Sequence, residues 1–599
     1  MRSKTYTNRN EILPEYTWDL THLVPSDKVW NQLYQDINSQ IQQVSAYKNQ
    51  LLKNAQTLYD ALELRSKVFM MFHRIYVYSN MKLHEDTGNS RSQEAVQKVN
   101  NLEVTLNSAF AFFEPELMAA DTMVIQNYLD SYEPLSMYNH FFDNLFRQKQ
   151  HILPKEHEEL LALASDFTGS PSEIFSMFMN ADLVLPDIAD GKGESHPLSL
   201  GSYQRYIKSN DPILRKNAFD SLHQKMKDHT NTLTSIYLSS LKKDVFEMRA
   251  RNYTSSCEAS LSSKNIDVAV YDNLIQTVHE HLPLLHRYVR LRKKMLQLPT
   301  LHMYDLYTPL VHDMDQTIEY DEAKEIVLES LKPLGEDYLA LVNKGFEERW
   351  IDVYENKGKR SGAYSWGTYD CHPYILLNHQ DTLNSTFTLT HEMGHALHSY
   401  YSNAHQPYLY HSYPIFLAEV ASTVNESLLI HHLLGKAKEK KEKLYLLNYY
   451  MESFRTTLYR QVMFAEFEKK AHEMLENAEP VTSDSLYQMY KALNATYYGD
   501  DIIVDDLIGY EWSRIPHFYT AFYVYQYATG FSAAVALSKN ILDGGQDAAN
   551  HYKNFLKSGS SKYPIDTLKE AGVDMTKTTP IKNALSVFES LLDEMESLL

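Results

Sequence analysis

The segment TFTLTHEMGHALHSYY contains His391, Glu392 and His395 in the pattern H-E-x-x-H, residue types and spacing suited to metal-dependent hydrolysis. Four residues along a helix turn through about 400°, so His391 and His395 project from one face, one turn apart. Two imidazoles in that register can reach a single Zn²⁺ at about 2.0–2.1 Å. Glu392 lies one step round the helix, offset from the ligand line. It can therefore face a water molecule without taking a coordination position. Such a site needs a third protein ligand and keeps a fourth position open for water or substrate.

The sequence offers competing third ligands. His398 shares the helical face but rises about 10.5 Å along the axis from His391, too far for one ion to hold both, so it fits better beside the site or at the surface. A metzincin would have Gly at 398 and His at 401, whereas this chain has His398 and Tyr401. A carboxylate from another helix remains. In PIFLAEVASTVNESLLIHHLL, opened by Pro414, Glu419 stands among Leu417, Ala418, Val420 and Ala421. Burying it would be costly without a partner, and a zinc ion is such a partner. Glu426, two turns further on the same face, either orients a ligating histidine or sits in solvent. Gly394 costs a helix about 1 kcal/mol relative to Ala, which points to a close approach there.

These residues must be positioned by a mainly α fold. LTHLVPSDKVWNQLYQDINSQ and the runs Val68–Leu83, Arg91–Phe113 and Ile152–Phe167 carry apolar residues at three- and four-residue spacing, with Pro25-Ser26-Asp27 as a cap signal. The texture around Gly191 and Gly193 predicts a hairpin, and the segment from Lys357 to Asp381 predicts strands. HPYILLN reads as a strand directly before the motif helix, a small sheet beside the chemistry. It serves either as scaffold or as a partner for an extended peptide main chain. The mixed-charge run Lys436–Lys443 reads as a solvated helix face. The serial division is a helical subdomain over 1–110, a second over 111–204 ending in the hairpin-like segment, and a catalytic domain over 205–599.

Composition excludes some functions. A formal charge of −20 over 599 residues argues against nucleic acid. No run approaches the roughly 20 apolar residues that span a bilayer, and MRSKTYTNRNEILPEYTWDL lacks the apolar run of a secretory signal. Two cysteines, Cys257 and Cys371, are too few for a disulfide framework and fit a reducing cytoplasm. Most of the 44 tyrosines are expected to pack by their rings with the hydroxyl wet. A monomer or small homo-oligomer is expected.

Three segments, HEMGHALHSYY at 391–401, FLAEVASTVNE at 416–426 and RIPHFYTAFYVYQYATG at 514–530, together with YTWDL at 16–20, resemble the thimet oligopeptidase family of zinc peptidases, in its bacterial oligoendopeptidase F branch. The resemblance runs from near residue 16 to the late 500s. It implies a large helical bowl- or clam-shaped body with a deep central channel that admits oligopeptides. It also implies one Zn²⁺ per chain on His391, His395 and Glu419, with Glu392 as catalytic base, and a zinc metalloendopeptidase activity. Eukaryotic members have Glu-Ala-Pro-Ser where this chain has Glu419-Val420-Ala421-Ser422. The family also places a histidine and tyrosines against the substrate. His517, Tyr519, Tyr523, Tyr525 and Tyr527 compete for those places, and their spacing departs from the eukaryotic pattern. Tyr523 and Tyr527, four apart, share a helical face, so His517, Tyr523 and Tyr527 are the expected set, with Tyr519 in reserve.

Two rival readings remain. A zinc carboxypeptidase or dipeptidyl carboxypeptidase would need a cation for the substrate's terminal carboxylate, for which Arg514 is a candidate. A non-catalytic peptide-binding protein would need no Glu392, and structural zinc is usually closed by cysteines, which this chain nearly lacks.

Overall fold

Helix starts follow the cap residues. Ser26 accepts a hydrogen bond from the Val29 N–H at 3.4 Å and opens a helix over Asp27–Val44, whose buried Trp30, Ile37 and Val44 recur every second turn. Asn54 caps Ala55–Glu85, and Asn89 caps Ser90–Phe110. The three helices pack together around Leu58, Phe72, Ile75, Leu102 and Leu106. This computed structural model describes residues 5–311 and 317–599, most of them helical. Seven short strands occur among the described residues: β1 (Thr5–Tyr6), β2 (Ile188–Ala189), β3 (Ser195–His196), β4 (Ile351–Asp352), β5 (Glu355–Asn356), β6 (Tyr364–Trp366) and β7 (Tyr374–Leu376). No described helix is long and apolar enough to cross a membrane.

The chain falls into two compact units, each built from three stretches. The first comprises Met1–Gln150, Asp315–His432 and Leu537–Val573, and the second His151–Met314, Leu433–Ala536 and Asp574–Leu599. They do not coincide with a serial division at 110 and 204, because each unit is completed by chain that returns to it. The two cysteines lie in different units as free thiols.

In the first unit β4, β7 and β6 form a sheet in that order, parallel between β4 and β7 and antiparallel between β7 and β6. The HPYILLN strand is therefore central. Its main chain is paired on both sides, so it is scaffold and cannot take a peptide, and β4 and β6 are the edge strands. The N-terminal β1 pairs parallel with β5. Beneath that pairing Asp352 is buried between Lys359 Nζ, 2.7 Å away, and the Arg9 guanidinium, whose Nη1 lies at 3.1 Å. Burial alone would raise the Asp352 carboxyl. The two cations outweigh it and hold the group below the usual carboxylate range.

In the second unit β2 and β3 pair antiparallel as the expected hairpin. An aromatic cluster of Tyr237, Phe467, Trp512 and Phe518 fills its interior. Several tyrosines depart from the expectation of a wet hydroxyl. The Tyr490 hydroxyl donates to Glu511 Oε2 at 2.7 Å and that of Tyr271 to the Ala465 carbonyl at 2.7 Å, both fully buried. A phenol can enter a core when a defined acceptor meets it. The run Lys436–Lys443 also differs: it spans a break between helices Ile415–Lys436 and Lys440–Ser453.

Asp352→Asn should lower the urea midpoint of unfolding, because breaking a buried ion pair on one side costs about 3–5 kcal/mol. The Asp352 contribution is present above the usual carboxylate pKa and is lost as pH falls toward its depressed folded value. Unfolding midpoints from pH 7 down to 3 should therefore fall less steeply in the variant than in the parent.

Candidate metal centre

The motif helix, Leu383–His405, starts at Thr382, whose hydroxyl accepts from the Ser385 N–H at 3.2 Å. It buries Leu389, Met393, Ala396 and Leu397 and packs on β6 and β7. His391 and His395 stay half-buried on the other side. The Glu419 helix, Ile415–Lys436, buries Phe416, Leu417, Val420, Ala421 and Val424. The two helices meet at Gly394, where a Cβ would stand 2.6 Å from the Ser422 Cα and 2.8 Å from the Ala421 carbonyl oxygen. Only glycine permits that approach.

The approach brings three ligand atoms together. The two Nε2 atoms of His391 and His395 are 3.2 Å apart, and Glu419 Oε2 lies 3.5 Å from the first and 3.8 Å from the second. The point equidistant from all three is about 2.0 Å from each, the length of zinc–nitrogen and zinc–oxygen bonds. Two imidazole nitrogens and one carboxylate oxygen are also the donor set of an open catalytic zinc site. His391 Nδ1 donates to Glu426 Oε1 at 3.1 Å, which turns the lone pair of Nε2 toward that point. The Ser422 hydroxyl donates to Glu419 Oε2 at 3.3 Å, and the His395 ring is hydrogen-bonded to the backbone of Ala418.

The electrostatics call for a cation. Burial disfavours a charged His391, but Glu426, with Glu392 and Glu419 behind it, outweighs burial and pushes the ring up to about 9. His395, buried beside that ring, is pushed down to about 3. Burial pushes the Glu392 carboxyl up to about 7, with Glu419 and Glu426 adding to it against the pull of His391. Carboxylates thus crowd two rings that cannot both become charged imidazolium. A divalent ion at the equidistant point would satisfy both neutral rings and favour ionised Glu392.

Glu392, 7% exposed, accepts from the backbone N–H of Ser365 in β6. The sheet explains why that N–H is available. Ile375 and Leu377 donate toward β4, to the carbonyls of Trp350 and Asp352. The β7 residues that pair toward β6 are then Tyr374 and Leu376, opposite Trp366 and Tyr364. Ser365, between those partners, turns its N–H away from the sheet.

His398 takes neither expected place. It is buried, stacked on Tyr413 with ring centroids 3.6 Å apart, and neither ring nitrogen has a hydrogen-bond partner among the described residues. A second set of donors, Asp190, Glu194 and His196, closes the β2–β3 turn instead. There Asp190 accepts from the Lys192 and Glu194 N–H groups at 2.9 Å each and faces His196 Nε2 at 3.0 Å.

In the second unit His517, Tyr523 and Tyr527 come together. The His517 ring is stacked on Tyr523 with centroids 6.0 Å apart, and its Nε2 lies 3.4 Å from the Tyr527 hydroxyl. Tyr519 stacks on Phe175 at 4.4 Å, and Tyr525 is buried against Tyr271, so both serve packing. Arg514 is already engaged: its Nη2 donates to Glu511 Oε1 at 2.5 Å, beside Arg460 on the same carboxylate. Sequence reasoning missed Ser365 and Ser422. Ser365 acts through its main chain and left no side-chain signal, and a serine three residues after a glutamate is too common to stand out.

The model of Peptidase family M3 matches residues 205–587, and that of Oligopeptidase F matches residues 116–184. The chain is 46% identical to oligopeptidase PepF of Bacillus subtilis over 592 residues, 99% of this chain and 88% of that protein. It is 41% identical to group B oligopeptidase PepB of Streptococcus agalactiae over 591 residues, 99% of this chain and 98% of that protein. The crystal structure of oligoendopeptidase-F from Enterococcus faecium superposes with a TM-score of 0.75 at 38% identity, covering 96% of this chain and 99% of that one.

Glu419→Ala should weaken metal binding by more than about 100-fold, beyond the 10–100-fold that loss of a ligand-orienting group brings. Gly394→Ala would favour an isolated helix by about 1 kcal/mol. Here it should instead lower metal affinity by at least about 10-fold, the low end of the effect of disturbing a ligand's support. Metal titration with circular dichroism as control checks both.

Proposed function

The chain belongs to peptidase family M3 and is a metalloendopeptidase, and from that premise we propose that it uses one zinc ion per chain, held by His391, His395 and Glu419, to hydrolyse internal bonds of oligopeptides. The observation that carries the proposal is the triangle of donor atoms at 3.2, 3.5 and 3.8 Å with a buried carboxyl one residue away. Bound zinc would polarise the substrate carbonyl and lower the pKa of a water toward about 7.

The residues of the chain supply the remaining chemistry. Glu392, steadied by the Ser365 N–H, takes a proton from the attacking water and passes it to the leaving amine nitrogen. Glu426 keeps His391 in the tautomer with its Nε2 lone pair free. An extended peptide main chain lies along the outer edge of β6, where the Ser365 N–H is held by Glu392. We assign His517, Tyr523 and Tyr527 to hydrogen bonding of the substrate and its developing oxyanion, supported by their grouping in the second unit. The engagement of Arg514 with Glu511 supports an endopeptidase over a carboxypeptidase, because that guanidinium is already held by a carboxylate within its own unit. A cytoplasmic location is supported by the two free thiols.

The test uses an internally quenched peptide of about ten residues, blocked at both ends, a length suited to an extended groove. Internal cleavage should stop with chelator and return with zinc. Glu392→Gln should lower kcat by at least about 1,000-fold, within the range of general-base removal, while zinc stays near the parent content. Turnover of free C-termini alone would establish a carboxypeptidase, and retained turnover in Glu392→Gln would remove that residue from its role.

A further inference from the structure

Helix Arg460–Glu476 of the second unit buries a carboxyl that the proposed chemistry does not use. Glu468 is fully buried and has Phe464, Phe467 and Ala471 as buried companions on its helix. Its Oε1 accepts from the Phe522 N–H at 2.7 Å, and its Oε2 has no partner among the described residues. The titratable groups around it are His472 on its own helix, Asp244 and Tyr237 on Thr230–Ala250, Tyr271 on Val268–Glu280, and Cys257. His472 does not neutralise Glu468, because its Nε2 faces Asp244 Oδ2 at 3.3 Å. A buried carboxyl without a cation is costly, and its one hydrogen bond goes to a particular place.

That place is a reversal of the chain. Phe522 has φ +53°, a left-handed conformation that a bulky residue adopts only when its surroundings impose it. Its ring is held against His472, at 4.6 Å between centroids, and against Tyr271 at 5.6 Å. The preceding carbonyl, of Ala521, accepts from the Ser260 hydroxyl at 2.9 Å. The turn is thus gripped on both sides of one peptide unit, and it is the turn that sets Tyr523 beside His517.

We infer that Glu468, with Ser260, is a positioning residue that clamps the Ala521–Phe522 turn and so fixes the geometry of the His517–Tyr523–Tyr527 cluster toward substrate. The inference rests on the assignment of that cluster to the substrate. Burial pushes the Glu468 carboxyl up to about 8, against the pull of His472, so near neutrality it is mainly the uncharged acid. Glutamine therefore matches it in charge and keeps an acceptor for the Phe522 N–H.

The test compares Glu468→Gln, Glu468→Leu, Ser260→Ala, His517→Ala, Tyr523→Phe and the double variant Glu468→Leu/His517→Ala on a quenched peptide with zinc-loaded enzyme. Glu468→Leu should lower kcat/KM by about 10–100-fold, the scale on which misplaced groups act. Amide exchange in residues 516–524 should quicken, with zinc content and helicity unchanged. Glu468→Gln should stay within about threefold of the parent, since the acceptor remains. The double variant should lose clearly less than the product of the two single losses, because both act on one cluster. Effects that multiply, a Glu468→Gln as poor as Glu468→Leu, or unchanged exchange in 516–524 would overturn the inference. Should Glu468→Leu not fold, Ser260→Ala decides: faster exchange and a several-fold loss support the clamp, and parent behaviour removes it. If His517→Ala and Tyr523→Phe both turn over like the parent, the substrate assignment falls and the clamp with it. If they lose turnover while Glu468→Leu keeps it, only the clamp falls.

Discussion

A Cβ at position 394 would overlap the backbone at Ser422 and Ala421, so the motif helix and the Glu419 helix can reach their separation only with glycine at the crossing. The metal centre depends on that contact. Two histidines one turn apart are a property of a single helix, but the carboxylate that completes the triangle arrives on a second one. Its distance from the imidazoles is set by how closely the backbones pass. Gly394 gives up helix propensity to allow this, and the apolar faces of both helices, from Leu389 to Leu397 and from Phe416 to Val424, hold the crossing in place.

The crossing also concentrates charge. Glu392, Glu419 and Glu426 surround two rings whose Nε2 atoms face each other at 3.2 Å. The arrangement favours a cation at the common point, and the neighbouring groups share the work of orientation. Glu426 sets the tautomer of His391, Ser422 steadies Glu419, and the outward N–H of Ser365 meets Glu392. The last contact ties the base to the sheet. The sheet in turn rests on the buried Asp352 and its two cations, which join β4 to the N-terminal segment.

The second unit uses a different device, aromatic packing with defined acceptors for buried polar groups. Tyr237, Phe467, Trp512 and Phe518 pack ring against ring in its interior. The chain reverses at Phe522, in a conformation that side-chain packing and two hydrogen bonds impose. Strain of this kind persists only where the surroundings over-determine it, and here it sits between His517 and Tyr523.

Much of the centre was legible in the sequence because it is local. The i, i+4 histidines, the offset of Glu392, the close approach at Gly394 and the cap at Ser26 all follow from helix geometry within a few residues, whereas Glu419 keeps 32% of its side chain exposed and its apolar neighbours did not bury it. The 188–196 hairpin was legible for the same reason. What the tertiary structure decided is non-local. The order β4-β7-β6 made HPYILLN a central strand and put β4 and β6 at the edges, because pairing partners are chosen across the sheet and not along the chain. His398 went into a stack with Tyr413 because the space beside the helix was apolar. Tyr523 and Tyr527 met His517 as expected but not on one helical face, because the helix starts at Tyr525 and Tyr523 stands before it, just after the left-handed turn at Phe522. Glu468, more than fifty residues from that turn in sequence, meets it only in the fold. Short-range backbone geometry writes a period into the sequence, whereas the partner of a buried carboxyl or an unpaired N–H is settled by whichever distant group satisfies it.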